Sequence, residues 1–208
     1  MTQEAKTLLP AYLSRVEAGM LKPDDAQISA AHVLEALYRR LTASSVEPRR
    51  RLLPFIKPKA IPNGGIYLWG DVGRGKSMLM DMFVEHIKDH LPTYRIHFHA
   101  FMQEVHKRLH DLRRISTDED LITALVREIA HSTDVLCLDE FQVSDVTDAM
   151  ILSRLFGGLM DAGVTIVFTS NRHPRDLYQG GLQRDQFLKF VDIIEKRLAI
   201  HEIKSPTD

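Results

Sequence analysis

The residues Gly70-Asp71-Val72-Gly73-Arg74-Gly75-Lys76-Ser77 follow the pattern G-x-x-x-x-G-K-S. They come directly after the apolar run 66–69 and open a helical pattern, the context in which this spacing forms a phosphate-binding loop. Glycines let backbone N–H groups turn inward around phosphate oxygens, and the N-terminus of the following helix adds positive potential. In such a loop Lys76 reaches the β- and γ-phosphates, and the Ser77 hydroxyl ligates Mg²⁺. The predicted nucleotide-contacting stretch is 70–78: Gly70, Asp71, Val72, Gly73, Arg74, Gly75, Lys76, Ser77 and Met78.

A second constellation is Val135-Leu136-Cys137-Leu138-Asp139-Glu140, four apolar residues ending in two carboxylates. A buried strand delivers its terminal acid to the carboxyl edge of the sheet, where open α/β folds bind ligands. After a phosphate loop in the same chain, Asp139 is expected to hold Mg²⁺ and Glu140 to orient or deprotonate an attacking water. A third run, 164–171, is apolar and ends in Thr169-Ser170-Asn171. Asn171 has the chemistry to hydrogen-bond a γ-phosphate or the lytic water; a turn-forming asparagine is the alternative.

These groups need a scaffold. Strand-like runs at 66–69, 95–99, 135–138, 164–169 and 198–203 alternate with helical patterns, which predicts a mostly parallel five-stranded sheet covered on both faces. Before it, residues 1–45 read as a helical pair. The first helix, 8–17, ends at Gly19, and the second starts after Pro23 with Asp24 and Asp25 in its first turn. The expected organisation is an N-terminal helical segment at 1–45, a basic linker at 46–62 and a nucleotide-binding core at 63–208. The stretch 39–59 has seven basic residues against Glu47 alone, and reads either as a solvated linker or as an anion-contacting surface.

Composition narrows the class. The chain has 208 residues with a formal net charge of -1, which argues against a dedicated nucleic-acid binder. Its one cysteine, Cys137, excludes an intrachain disulfide framework and is expected to be inert strand packing. No apolar run is long enough to span a bilayer, and the opening lacks a secretory or transit pattern, so a cytoplasmic location is expected. His106 and His110 lie one helical turn apart and could share a metal, although no acidic third ligand is near in sequence. Phe101 and Met102 fit either an apolar gripping loop after the second strand or the core face of the helix carrying Val105 and Leu109. Gly64-Gly65 reads as a turn.

The runs GDVGRGKSMLMDMF, IHFHAFMQEVH, LCLDEFQVSDVTDAMILSRLF and FTSNRHPRDLYQGGLQR together resemble the AFG1-type (ZapE-like) branch of AAA+ ATPases. AYLSRVEAGMLKPDDAQ is similar to that family's opening, so the resemblance covers nearly the whole chain. It implies a P-loop AAA+ core with the 164–169 strand inserted between the strands that end at the two nucleotide motifs. Asn171 would then be a γ-phosphate sensor. It also implies ATP and Mg²⁺ as cofactors, assembly into a ring, and an arginine completing a neighbour's site; Arg184 is the candidate and Arg172 the runner-up. Action in cell division on FtsZ polymers follows from the same resemblance. A DNA-directed helicase-loader-like ATPase and a nucleotide-gated interaction module are the alternatives. Members of this class follow the fifth strand with a helical lid. The sequence given ends at Asp208, just past that strand, so residues 1–208 are expected to lack the lid, either as a shortened member or as the first part of a longer protein.

Overall fold

The computed structural model describes residues 7–44, 64–115 and 120–204. In chain order the elements are α1 (Leu8–Glu17), α2 (Asp25–Ser44), β1 (Gly65–Trp69), α3 (Lys76–Ile87) and β2 (Thr93–His97). Then come α4 (Phe98–Ile115), α5 (Leu121–Ser132), β3 (Val135–Asp139), α6 (Val146–Asp161), β4 (Thr165–Ser170), α7 (Arg184–Arg197) and β5 (Leu198–Glu202). The stretch 46–62, expected to be a basic linker, lies outside the described residues.

The five strands form one parallel sheet in the order β2-β3-β4-β1-β5. β4 therefore lies between β1 and β3, the strands that end at the phosphate loop and at Asp139. Side chains alternate across each strand and divide the core in two. Ile66, Leu68, Val135, Cys137, Val167 and Ile203 pack under α1, α2 and α3. Tyr67, Leu136, Leu138, Ile166 and Phe168 pack under α4 to α7. On that second face Phe141 meets Phe168 with ring centroids 4.6 Å apart, and Phe156 stacks on Phe190 at 5.6 Å.

One boundary differs from the sequence reading. The run 95–99 reads as strand, but β2 ends at His97 and α4 begins at Phe98 with no intervening loop. Phe98, Phe101, Met102 and Val105 are all buried, at spacings of three, four and seven residues. Burying that apolar stripe demands a helix from Phe98 onward, and it overrides local β-propensity. Phe101 and Met102 are thus core residues, each 2% exposed, and not part of a gripping loop.

Candidate active site

The phosphate loop joins β1 to α3, which places it at the carboxyl edge of the sheet's centre. Two of its glycines are required sterically. A Cβ on Gly70 would sit 2.5 Å from the Ile203 carbonyl oxygen of the neighbouring chain segment. Gly75, at φ 80, caps α3 from the left-handed region, with the Gln27 side chain of α2 closing over it. Lys76 is buried, and its Nζ donates to the carbonyls of Gly70 and Asp71, both at 2.7 Å. Burial pulls the Lys76 ammonium below its usual value, while Asp71, Asp139 and Glu140 pull it back up.

Asp139 is 1% exposed, and both of its carboxylate oxygens accept hydrogen bonds. Its Oδ1 accepts from the Ser77 hydroxyl at 3.1 Å, from the Glu140 N–H at 3.1 Å and from the Thr169 hydroxyl. Its Oδ2 accepts from the Arg95 guanidinium at 2.9 Å. Glu140 follows at φ 56, the left-handed region that costs a non-glycine residue about 1–3 kcal/mol. That turn exposes Glu140, while its N–H also reaches Thr169 Oγ1 at 3.1 Å. The next residue, Phe141, drops into the core and is stitched to the end of β4: its N–H donates to the Thr169 carbonyl at 2.7 Å, and its carbonyl accepts from Ser170 Oγ at 2.8 Å.

Lys76, Ser77, Asp139, Glu140, Thr169 and Asn171 share one cavity of about 330 Å³, which Val72, Gly73, Arg74, Gly75 and Met78 complete. Asn171 lines it from just beyond the end of β4. The structure therefore brings together residues 72–78, Asp139, Glu140 and Asn171 of those singled out, while Gly70 and Asp71 do not line the cavity and meet Lys76 through their carbonyls. Ser77 and Asp139 offer hard oxygen donors suited to Mg²⁺. Ser77 gives its proton to Asp139, which leaves its lone pairs available to a cation. Among the described residues no cluster of three His, Cys, Asp or Glu could hold a metal, so nucleotide phosphates and water would have to complete the coordination shell.

Other sequence candidates lie apart. Arg184 starts α7 and donates to the Arg175 carbonyl at 2.8 Å, outside the cavity. Arg172 is exposed, and its carbonyl accepts from the Tyr67 hydroxyl at 2.9 Å. His106 pairs with Asp148 at 2.6 Å, tying α4 to α6. Cys137 is fully buried, and burial pushes its thiol up to about 12, so it is inert. A larger cavity, about 720 Å³, opens between β2, α4 and α5 beside Tyr94 and Glu104. It shares no lining residue with the phosphate-loop cavity. Sequence reasoning missed Thr169 and Arg95. Both sit on the same face of the sheet as Asp139, toward α3, a relation set by strand register that no signal in the sequence displays.

The profile of the AFG1-like ATPase family matches residues 6–208. The chain belongs to this family. Cell division protein ZapE of Escherichia coli K12 is 36% identical over 208 residues, covering 95% of this chain and 54% of that protein. An uncharacterized protein of Schizosaccharomyces pombe is 38% identical over 231 residues, covering 97% of this chain and 51% of its own length. The chain thus spans about half the length of the curated relatives it matches. Among solved structures, AMPPCP-bound DnaA from Aquifex aeolicus superposes with a TM-score of 0.58 at 18% identity, covering 96% of this chain and 49% of that one. This likeness concerns the fold: the AFG1-like core is an AAA+ P-loop domain, with β4 between the two motif strands.

Proposed function

We propose that this chain binds ATP with Mg²⁺ and hydrolyses its terminal phosphoanhydride. The observation that carries the reading is the 3.1 Å hydrogen bond from Ser77 to Asp139, which joins two motifs 62 residues apart at the mouth of one cavity. In this reading Lys76 exchanges the Gly70 and Asp71 carbonyls for the β- and γ-phosphates. Ser77 and Asp139 would hold Mg²⁺, which would supply charge neutralisation at the β- and γ-phosphates. Glu140 orients the attacking water and takes its proton, and Asn171 hydrogen-bonds the γ-phosphate. The AMPPCP carried by the A. aeolicus DnaA on the shared fold supports a nucleotide as ligand.

Arg184, outside this chain's own cavity, is assigned to a neighbouring subunit's site in a ring, where its charge would stabilise the transferred phosphoryl group. A cell-division role in the cytoplasm, with FtsZ polymers as the first protein partner to test, rests on the name of the E. coli relative and on the family resemblance. No helix among the described residues is long and apolar enough to cross a membrane.

The test is ATP turnover per subunit over a wide range of protein concentration, with Mg²⁺ and a Glu140→Gln control. Turnover that climbs with concentration and vanishes in the control is the expected result. Saturable ATP binding with no turnover would instead make the chain a nucleotide-gated interaction module. Absence of both would overturn the reading.

A further inference from the structure

The Asp139 carboxylate is divided between two kinds of partner. Oδ1 serves the cavity side, where the Ser77 hydroxyl meets it at 3.1 Å. Oδ2 is held by Arg95, whose guanidinium lies 2.9 Å away on the adjacent strand β2. Arg95 pairs in register with Cys137, and so lies on the same face of the sheet as Asp139, two residues further along. Its Nε also stands 2.5 Å from Asp81 Oδ1 on α3, off the N–H axis, so that contact is an ion pair and not a hydrogen bond. Asp81 comes one helical turn after Ser77, which puts both on one face of α3.

Asp81, Arg95 and Asp139 therefore form a chain from the helix that carries the hydroxyl to the strand that carries the carboxylate. We propose that Arg95 is a positioning residue for the Mg²⁺ site. It fixes the rotation of the Asp139 carboxylate and, through Asp81, the rotation of α3, so that Ser77 and Asp139 Oδ1 meet. A carboxylate that is 1% exposed is costly without a cationic partner, and Arg95 provides one from within the chain. A planar guanidinium can engage two carboxylates at once, which a lysine ammonium does less well. The inference rests on the Mg²⁺-ATP reading of the cavity and names a residue that supports its metal half.

The experiment is equilibrium binding of ATP with Mg²⁺ and with EDTA, for wild type, Arg95→Met, Arg95→Lys and Asp81→Asn, alongside the Mg²⁺ concentration for half-maximal turnover. Wild type should bind more tightly with Mg²⁺. Arg95→Met should keep its EDTA affinity but lose most of the Mg²⁺ gain, and should need about 10–100-fold more Mg²⁺ for turnover, the usual loss when a group supporting a metal ligand is removed. Arg95→Lys should restore part of the gain, and Asp81→Asn should lose less of it than Arg95→Met. An unchanged Mg²⁺ gain in Arg95→Met overturns the proposal. So does an equal loss in Mg²⁺ and EDTA, which would mark a purely structural arginine. If Arg95→Met does not fold, wild-type Mg²⁺ dependence in both Arg95→Lys and Asp81→Asn overturns it as well. Wild type that binds no ATP would sink the nucleotide reading itself, an outcome distinct from the others.

Discussion

Asp24 holds Arg74 with one carboxylate oxygen and caps α2 with the other. Its Oδ2 accepts from the Arg74 guanidinium at 3.1 Å, and its Oδ1 accepts from the N–H groups of Ala26 and Gln27 at 2.9 and 3.1 Å. Arg74 belongs to the phosphate loop and also donates to the Lys204 carbonyl at 2.5 Å, so the N-terminal helices, the loop and the segment after β5 meet at one guanidinium.

Asp24→Ala removes both functions of that carboxylate. It should lower the urea midpoint by the equivalent of about 1 kcal/mol, the usual worth of an N-cap, and should weaken ATP binding. Asp24→Asn keeps a capping oxygen while losing the charge on Arg74, so it should retain most of the stability and still bind ATP less tightly. Wild-type affinity in both variants would show that the loop does not depend on α2.

Glu140 is strained in a way that glycine would relieve. Glu140→Gly should raise stability by about 1 kcal/mol, because the left-handed strain of a non-glycine residue exceeds the extra backbone freedom that glycine loses on folding. The same change should abolish turnover by removing the proton acceptor. Thermal melts and a phosphate-release assay read the two effects separately, and a destabilised Glu140→Gly protein would contradict the strain argument.

Thr169→Val keeps the side chain's shape and deletes a donor to Asp139. A hydrogen bond to a charged group is worth about 1.5–3 kcal/mol, so turnover should fall about tenfold or more. ATP affinity in EDTA should be unchanged. A variant with wild-type turnover would mean that Ser77 and Arg95 suffice to orient the carboxylate.

Glu35 gives a pH test. It is buried between α1 and α2, where it accepts from the Leu9 N–H at 3.3 Å and from Arg39 at 2.8 Å. Burial alone would push its carboxyl up, but the hydrogen bonds from Arg39 and Leu9, with the Arg39 charge, outweigh it and hold the group below its usual value. A carboxylate with a depressed folded-state value stabilises the fold above its unfolded value, about 4.3, and loses that contribution as the pH falls through the folded one. Wild type should therefore exceed Glu35→Gln in urea midpoint at pH 7, with the gap closing on acidification below about pH 4. A gap that does not change with pH would refute the assignment.

What the sequence made legible was the chemistry that residue identity itself enforces. Gly70 and Gly75 announce a phosphate loop because few other residues tolerate that backbone, Lys76 and Ser77 because of their charge and hydroxyl, and the apolar run before Asp139 announces a buried strand. The 3.6-residue and two-residue periods placed α1 and the five strands to within a residue or two. Two features depended on which strands lie side by side. Arg95 meets Asp139 only because β2 pairs with β3 in the register that sets Arg95 against Cys137; in the bare sequence it is one charge in a mixed run. Likewise, which of Thr169, Ser170 and Asn171 approaches Asp139 follows from the side of β4 that each faces. The start of α4 was hidden because the residues 95–99 suit a strand, and the stripe from Phe98 to Val105 gains more by burial as a helix.

Leu8, Tyr12, Ala30, Ala31, Leu34 and Leu37 of the first two helices belong to the same buried cluster as Ile66, Leu68 and Leu79. The change of composition near residue 45 is therefore a poor place to cut. A fragment starting at residue 63 would present bare strands and the apolar back of α3 to water, and it would be expected to aggregate during purification even with every nucleotide-site residue intact. Anyone trimming the chain for crystallisation or assay should keep both helices. A protein that displaces them would be prying open the hydrophobic interior, not merely moving an appendage.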